Sequence, residues 1–165
     1  MPSFSLTSTV DAPAAVVWAR AATFAGVNHE LRPFLRMVPP RRYRSATIDT
    51  VPAGVPLGRV FIWYFGFLPL DYDAMGFAEM VPGSHFHEVS TMGSMRHWEH
   101  RRTVESVGNG TRTRFTDEVT FEPRLAIIEG PASIVLRRLF AHRHRRLQTY
   151  FAGRSVSKGR CRSTV

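Results

Sequence analysis

The chain has 165 residues, of which 44% are hydrophobic, 12% aromatic and 21% charged, a composition that fits one globular domain and excludes a disordered or low-complexity polymer. Its 22 basic and 13 acidic side chains leave a formal charge of +9, but Arg154, Lys158, Arg160 and Arg162 crowd into the terminal "GRSVSKGRCRSTV", so the body lacks the dense basic face of a dedicated nucleic-acid binder and no specific nucleic acid is expected. A single cysteine, Cys161, excludes an internal disulfide and a cysteine-based zinc site.

"FSLTSTV", Phe4 to Val10, alternates apolar and hydroxyl residues as a half-buried strand does. Asp11 as N-cap and Pro13 in the opening turn predict a helix through "AAVVWARAATF" up to Gly26, and a second short helix is expected near Asn28 to Met37, stopped by Pro39 and Pro40. From Ser45 to Glu122 the texture is β-rich: "SATIDTV", "GRVFIWYFGF", "LDYDAMGFAEMV", "HFHEVSTM", "MRHWEHRRTVESV" and "TRTRFTDEVTFEP" read as consecutive antiparallel strands. "GNG", Gly108 to Gly110, suits a hairpin that needs positive φ.

After Pro123 the period becomes helical. Val135, Leu136, Leu139, Phe140, Leu147, Tyr150 and Phe151 form one stripe, and the helix is expected to end near Gly153. The domain is therefore drawn as residues 1–153, followed by a basic flexible tail, 154–165. No apolar run reaches the roughly 20 residues of a membrane span, and "MPSFSLTSTVDAP" lacks the layout of a signal peptide, so a cytoplasmic location is expected.

The class is α+β: one strand, two short helices, a curved antiparallel sheet of about six or seven strands in all, and a long C-terminal helix laid across it. A single helix cannot easily fill the concave face of such a sheet, so a cavity is expected between them. This order resembles the helix-grip fold of the SRPBCC superfamily, which includes START lipid-transfer domains, the birch-pollen allergen family (Bet v1-like) and polyketide cyclases. Within it, "LGRVFIWYFGFLPLDYD", "WEHRRTVESVGNGTRTRFTDEVTFEPRL" and "LFAHRHRRL" look most like a bacterial subgroup of small ligand-binding proteins. The resemblance implies a fold and a hydrophobic ligand site more firmly than a reaction. Size and sequence depart from the aromatase-cyclases, so their catalytic residues are not carried over.

Parity assigns the faces. Phe115, Val119 and Phe121 mark the inward side of the last strand, which brings Asp117 inward; Val104 does so for its neighbour, with Arg102, His100 and Trp98. His97, Glu99 and Arg101 then face outward, so the pair in "HWEH" cannot share one metal. His85 and His87 share a face opposite Phe86, Glu88 and Ser90, and read as exposed strand residues; no metal and no cofactor is expected. On the last helix Arg143 interrupts the apolar stripe and needs an acid, for which Asp117 and Glu88 are the candidates, while His142 and His144 flank the stripe as exposed residues.

The candidate ligand site is thus Phe86, Glu88, Ser90, Trp98, His100, Arg102, Phe115, Asp117, Arg143 and Tyr150, with the aromatics supplying burial and the polar groups orientation. A structural ion-pair network is the alternative reading of its charged members. In "GRVFIWYFGF" both faces are apolar; packing against the first strand, a homodimer contact through residues 59–67, the cavity mouth or peripheral membrane contact would each cover the second face. Three functions remain open: a binder of a small hydrophobic molecule (lipid, polyketide or aromatic metabolite), a polyketide cyclase/dehydratase-like enzyme using His100 and Asp117 as an acid–base pair, or a basic interaction module for RNA, ribosome or anionic membrane.

Overall fold

A computed structural model describes residues 1–51 and 53–159, with side chains described up to Gly153. The elements in chain order are β1 (Ser3–Val10), α1 (Ala14–Ala21), α2 (Phe24–Leu31), β2 (Leu35–Val38), β3 (Gly58–Tyr64), β4 (Leu68–Met75), β5 (Phe77–Val81), β6 (His85–Ser90), β7 (Met95–Val107), β8 (Arg112–Pro123) and α3 (Glu129–Gly159). Five strands form an antiparallel sheet in the order β1-β8-β7-β6-β5, and β2-β3-β4 form a second group. An isolated bridge between Asp73 and Met92 ties β4 to the larger sheet. The described residues thus hold eight strands in two groups, around the long helix that the helix-grip reading requires.

The longest strands follow directly from their residues. β7 and β8 pair along their whole length, with Arg102 opposite Asp117 and Val104 opposite Phe115. Their turn carries positive φ at Gly108, Asn109 and Gly110, where glycine and asparagine are the residues that bear it at least cost. Alternation on β8 buries Phe115, Asp117, Val119 and Phe121 together.

The first third differs from its expectation. Asp11 does not cap α1; its carboxylate accepts from Arg112 at 2.9 Å. The first helix ends at Ala21, and Thr23 opens the next by accepting from the Gly26 N–H at 3.0 Å. Gly26 is therefore inside α2, where a Cβ would lie 2.0 Å from the Arg20 carbonyl oxygen; the glycine permits two helices to touch. Residues 35–38 leave the helix to form β2, because Asn28 caps the Met37 backbone through both its N–H and its carbonyl. "SATIDTV" forms no strand; it makes an isolated bridge from Thr47 to Thr23 and a 3-10 turn at Ile48–Thr50.

β3 pairs with β2 and β4, not with β1, which corrects the expectation that it packs on the first strand. Val60 and Ile62 are buried while Phe61 is exposed, and the β3–β4 turn presents Phe65 (61% exposed) and Phe67 (65% exposed). "LDYDAMGFAEMV" divides at Gly76 into β4 and β5. α3 runs past Gly153 to Gly159; of the expected tail, residues 154–159 are helical, their side chains lie outside the described residues, and so do residues 160–165 entirely. The stripe on α3 begins at Leu136, since Val135 is exposed. No described helix is long and apolar enough to cross a membrane.

Candidate functional site

A cavity of about 150 Å³ lies between the concave sheet and α3. Its apolar body is built by Phe24 from α2, Ile62 from β3, Met75 from β4, Phe86 from β6, Trp98 from β7 and Phe140 from α3. Five titratable side chains break this lining, Asp71 and Asp73 from β4, Glu88 from β6, His100 from β7 and Arg143 from α3, together with Tyr64, Thr23 and Ser94. Of the residues expected at the site, Phe86, Glu88, Trp98, His100 and Arg143 line the cavity.

The other expected residues lie elsewhere. Arg102, Asp117 and Phe115 are fully buried behind the lining, and Ser90 sits next to Glu88, with its hydroxyl 3.4 Å from Oε1. Tyr150 is not among the lining residues: the Arg20 guanidinium lies 3.5 Å over its ring, and the His29 ring is 5.5 Å away. Asp71 and Asp73 were missed because both faces of "LDYDAM" carry apolar residues, so parity alone gave no inward side.

Behind the cavity is a knot of charges. Arg102 donates through Nε and Nη2 to the two oxygens of Asp117, each at 2.7 Å, and through Nη1 and Nη2 to Glu30 at 3.1–3.2 Å. Arg143 donates through Nε and Nη2 to Glu30 Oε2 at 3.3 and 3.2 Å. Its acid is therefore Glu30, not Asp117 or Glu88. Glu30 shares a face of α2 with Val27, three residues earlier, a helical spacing that places both toward the sheet. Two arginines against two carboxylates leave this knot electrically balanced, which is the condition for keeping charge in a low-dielectric interior.

His144 is buried (4% exposed), contrary to expectation. Its Nε2 lies 3.0 Å from Asp117 Oδ2, and its Nδ1 lies 2.9 Å from the Ser8 hydroxyl. Ser8 on β1 supplies the hydroxyl that makes this tolerable, and only the pairing of β1 with β8 brings it there. His142 is half-buried, with its Nε2 2.7 Å from the Arg32 carbonyl.

His100 joins the knot to the cavity. Burial opposes the charge on Asp117, but the Arg102 guanidinium and the surrounding donors overcome it and hold this carboxyl well below the usual range. Asp117 is thus an acceptor, and the bond of 2.9 Å from His100 Nε2 must carry the imidazole proton. Burial outweighs the attraction of Asp117 and lowers His100 to about 4, so the ring is neutral at pH 7. The free lone pair is on Nδ1, 3.8 Å from Glu88 Oε2.

On the cavity wall the carboxyl groups behave oppositely. Burial and the adjacent Asp73 charge push Glu88 well above the ordinary carboxyl value, with Arg143 opposing. Burial likewise raises Asp73, against hydrogen bonds with Glu88 and Ser90. Two carboxyl groups in hydrogen-bond contact share a proton for this reason. Asp71 is better provided: the backbone N–H groups of Tyr72 and Ser94 and the Ser94 hydroxyl all donate to it. The outward histidines instead find surface glutamates, His87 at 2.6 Å from Glu99 and His85 at 3.2 Å from Glu79.

The fold is that of solved helix-grip proteins, including a START superfamily protein from Mycobacterium smegmatis (11% identity, TM-score 0.64, covering 92% of this chain and 97% of that one). The Zhui aromatase/cyclase from Streptomyces sp. R1128 is similar at 14% identity and TM-score 0.65, covering 93% and 95%. A protein from Chromobacterium violaceum is similar at 12% identity and TM-score 0.67, covering 92% and 98%. At such identities the likeness is one of fold. Among curated proteins none matches the chain. A family model spans residues 8–151, which include every cavity-lining position described above, and the chain belongs to that family, the Domain of unknown function (DUF8410).

Proposed function

We propose that this protein binds a small hydrophobic molecule in the cavity between sheet and α3. The observation that carries the reading is a largely apolar chamber interrupted by a few polar groups, the arrangement that buries a ligand's body and orients its functional group. Its volume of about 150 Å³ matches cavities that hold a single aromatic ring, which favours a one-ring metabolite or short chain over a multi-ring polyketide. Native mass spectrometry of the gently purified protein, followed by denaturing extraction, should return a lipophilic molecule of that size. An empty protein that also fails to bind hydrophobic probes would refute the reading.

A second reading, acid–base catalysis, is favoured by the pairing of His100 Nδ1 with Glu88. Asp117 would orient the imidazole, His100 would accept a proton, and Glu88, which burial keeps protonated, would donate one, as enolisation or dehydration of a carbonyl compound requires. The test is to compare turnover of the extracted molecule by wild type and by the variants His100→Gln and Glu88→Gln. Turnover that survives in both would sink the catalytic reading while leaving the binding one intact.

A further inference from the structure

The two groups of buried charge differ in one respect that identifies a ligand class. Glu30 and Asp117 have Arg102 and Arg143 bonded to them. Asp71, Asp73 and Glu88 have no arginine or lysine within ion-pair distance among the described residues; the nearest basic atom to any of them is His100 Nδ1, 3.8 Å from Glu88 and neutral at pH 7. Asp73 is 1% exposed, lines the cavity, and its Oδ1 has no hydrogen-bond partner among the described residues. A buried carboxyl oxygen without a partner is costly, and a donor on a molecule held in the cavity that Asp73 lines would relieve that cost.

The groups around Asp73 are Asp71 on its own strand, Glu88 and Ser90 on β6, His100 on β7, Tyr64 on β3 and Arg143 on α3. Arg143 is engaged by Glu30. Tyr64 is neutral at physiological pH, since burial and the Asp71 charge raise its phenol further. The wall therefore sets three carboxyl groups against one guanidinium, that of Arg143, which Glu30 already engages, and most of the remaining lining is apolar.

Resting on the cavity reading, we propose that the natural ligand is an amine: a body the size of one ring carries a protonated amino group that sits between Asp73 and Glu88. The ammonium donates to Asp73 Oδ1 and to Glu88, and the ring occupies the space between Phe86, Trp98 and Phe140. Three donors on the ammonium suit a wall on which the Asp73 and Glu88 carboxyl groups have no arginine bonded to them among the described residues. In the empty protein the carboxyl pair retains a proton; binding of the ammonium releases it. Affinity accordingly rises with pH above the ordinary carboxyl range, for as long as the amine stays protonated.

The probes are benzylamine, benzyl alcohol and toluene, titrated calorimetrically into the full chain at pH 5 and pH 8. Benzylamine should bind at least tenfold more tightly than benzyl alcohol at pH 8, weaken toward pH 5, and release protons, seen as a heat that depends on the ionisation enthalpy of the buffer. Asp73→Asn and Glu88→Gln should each lose tenfold or more for benzylamine while keeping toluene binding, which shows that the cavity has survived. If toluene or benzyl alcohol binds as tightly as benzylamine, or if both variants bind the amine like wild type, the amine proposal is overturned and the cavity reading stands. Failure of all three probes overturns both.

Discussion

The interior holds two groups of charge, one on α2, β7, β8 and α3 and the other on β4 and β6, and they are built on opposite rules. The knot of Glu30, Arg102, Asp117 and Arg143 is balanced and bonded within itself, and of its members only Arg143 lines the cavity. The wall of Asp71, Asp73 and Glu88 lines the cavity and lacks a bonded cation among the described residues. The first ties α2 and α3 to the sheet, because each arginine is satisfied only when helix and strand are both in place. The second leaves hydrogen-bonding capacity unused inside the fold, which a purely structural network would not do. On the proposed reading, charge near α2 serves assembly and charge near β4 serves a ligand.

Breaking the knot should have the largest effect. Arg102→Met leaves Glu30 with only Arg143 and Asp117 with only histidines, and should cost about 3–5 kcal/mol in denaturant unfolding. A loss below about 1 kcal/mol would show that the knot does not hold the helices.

The next effect concerns pH. His100 falls from 6.5 to about 4 on folding, so the folded state resists its protonation. Its contribution is complete above pH 6.5 and lost as pH falls toward about 4, on the order of 3 kcal/mol in all. Stability measured from pH 7 to pH 4 should decline less steeply in His100→Gln than in wild type. Parallel profiles would place His100 outside the buried network.

The wall should respond in the opposite sense. Glu88 and Asp73 keep protons that the unfolded chain loses, so their contribution declines as pH rises above about 4.3. Glu88→Gln and Asp73→Asn should therefore gain on wild type as pH rises, reaching a stabilisation of roughly 1–2 kcal/mol near neutrality. Destabilisation by both at pH 8 would mean that the wall is structural like the knot. The smallest effect is a control away from both: Phe65→Ser with Phe67→Ser, on the exposed β3–β4 turn, should change stability by no more than about 0.5 kcal/mol.

How far such a comparison could be read in advance depends on the pattern of each strand. On β7 and β8, alternation is unambiguous: Val104 and Phe115 mark the inward side, and His100, Arg102 and Asp117 follow by parity. On β4, Leu70, Tyr72 and Ala74 compete with Met75 as markers, so Asp71 and Asp73 had no assigned face. Flanking an apolar stripe predicts exposure for His144, as such positions usually face solvent. Its burial depends on Ser8 and Asp117, which lie 136 and 27 residues away in sequence.

Strand alternation, the helical stripe and the glycine turn are local properties, and by themselves they determined the α+β class, the long β7–β8 hairpin, the C-terminal helix and the inward polarity of the central strands. Which acid meets which arginine, and which carboxyl groups meet none, was decided only by the tertiary structure. Pairing energies depend on distances between elements remote in sequence, as when Glu30 of α2 comes within 3.2 Å of both Arg102 of β7 and Arg143 of α3. No periodicity within one segment encodes that approach, because it arises from the packing of α2 against α3 and the sheet.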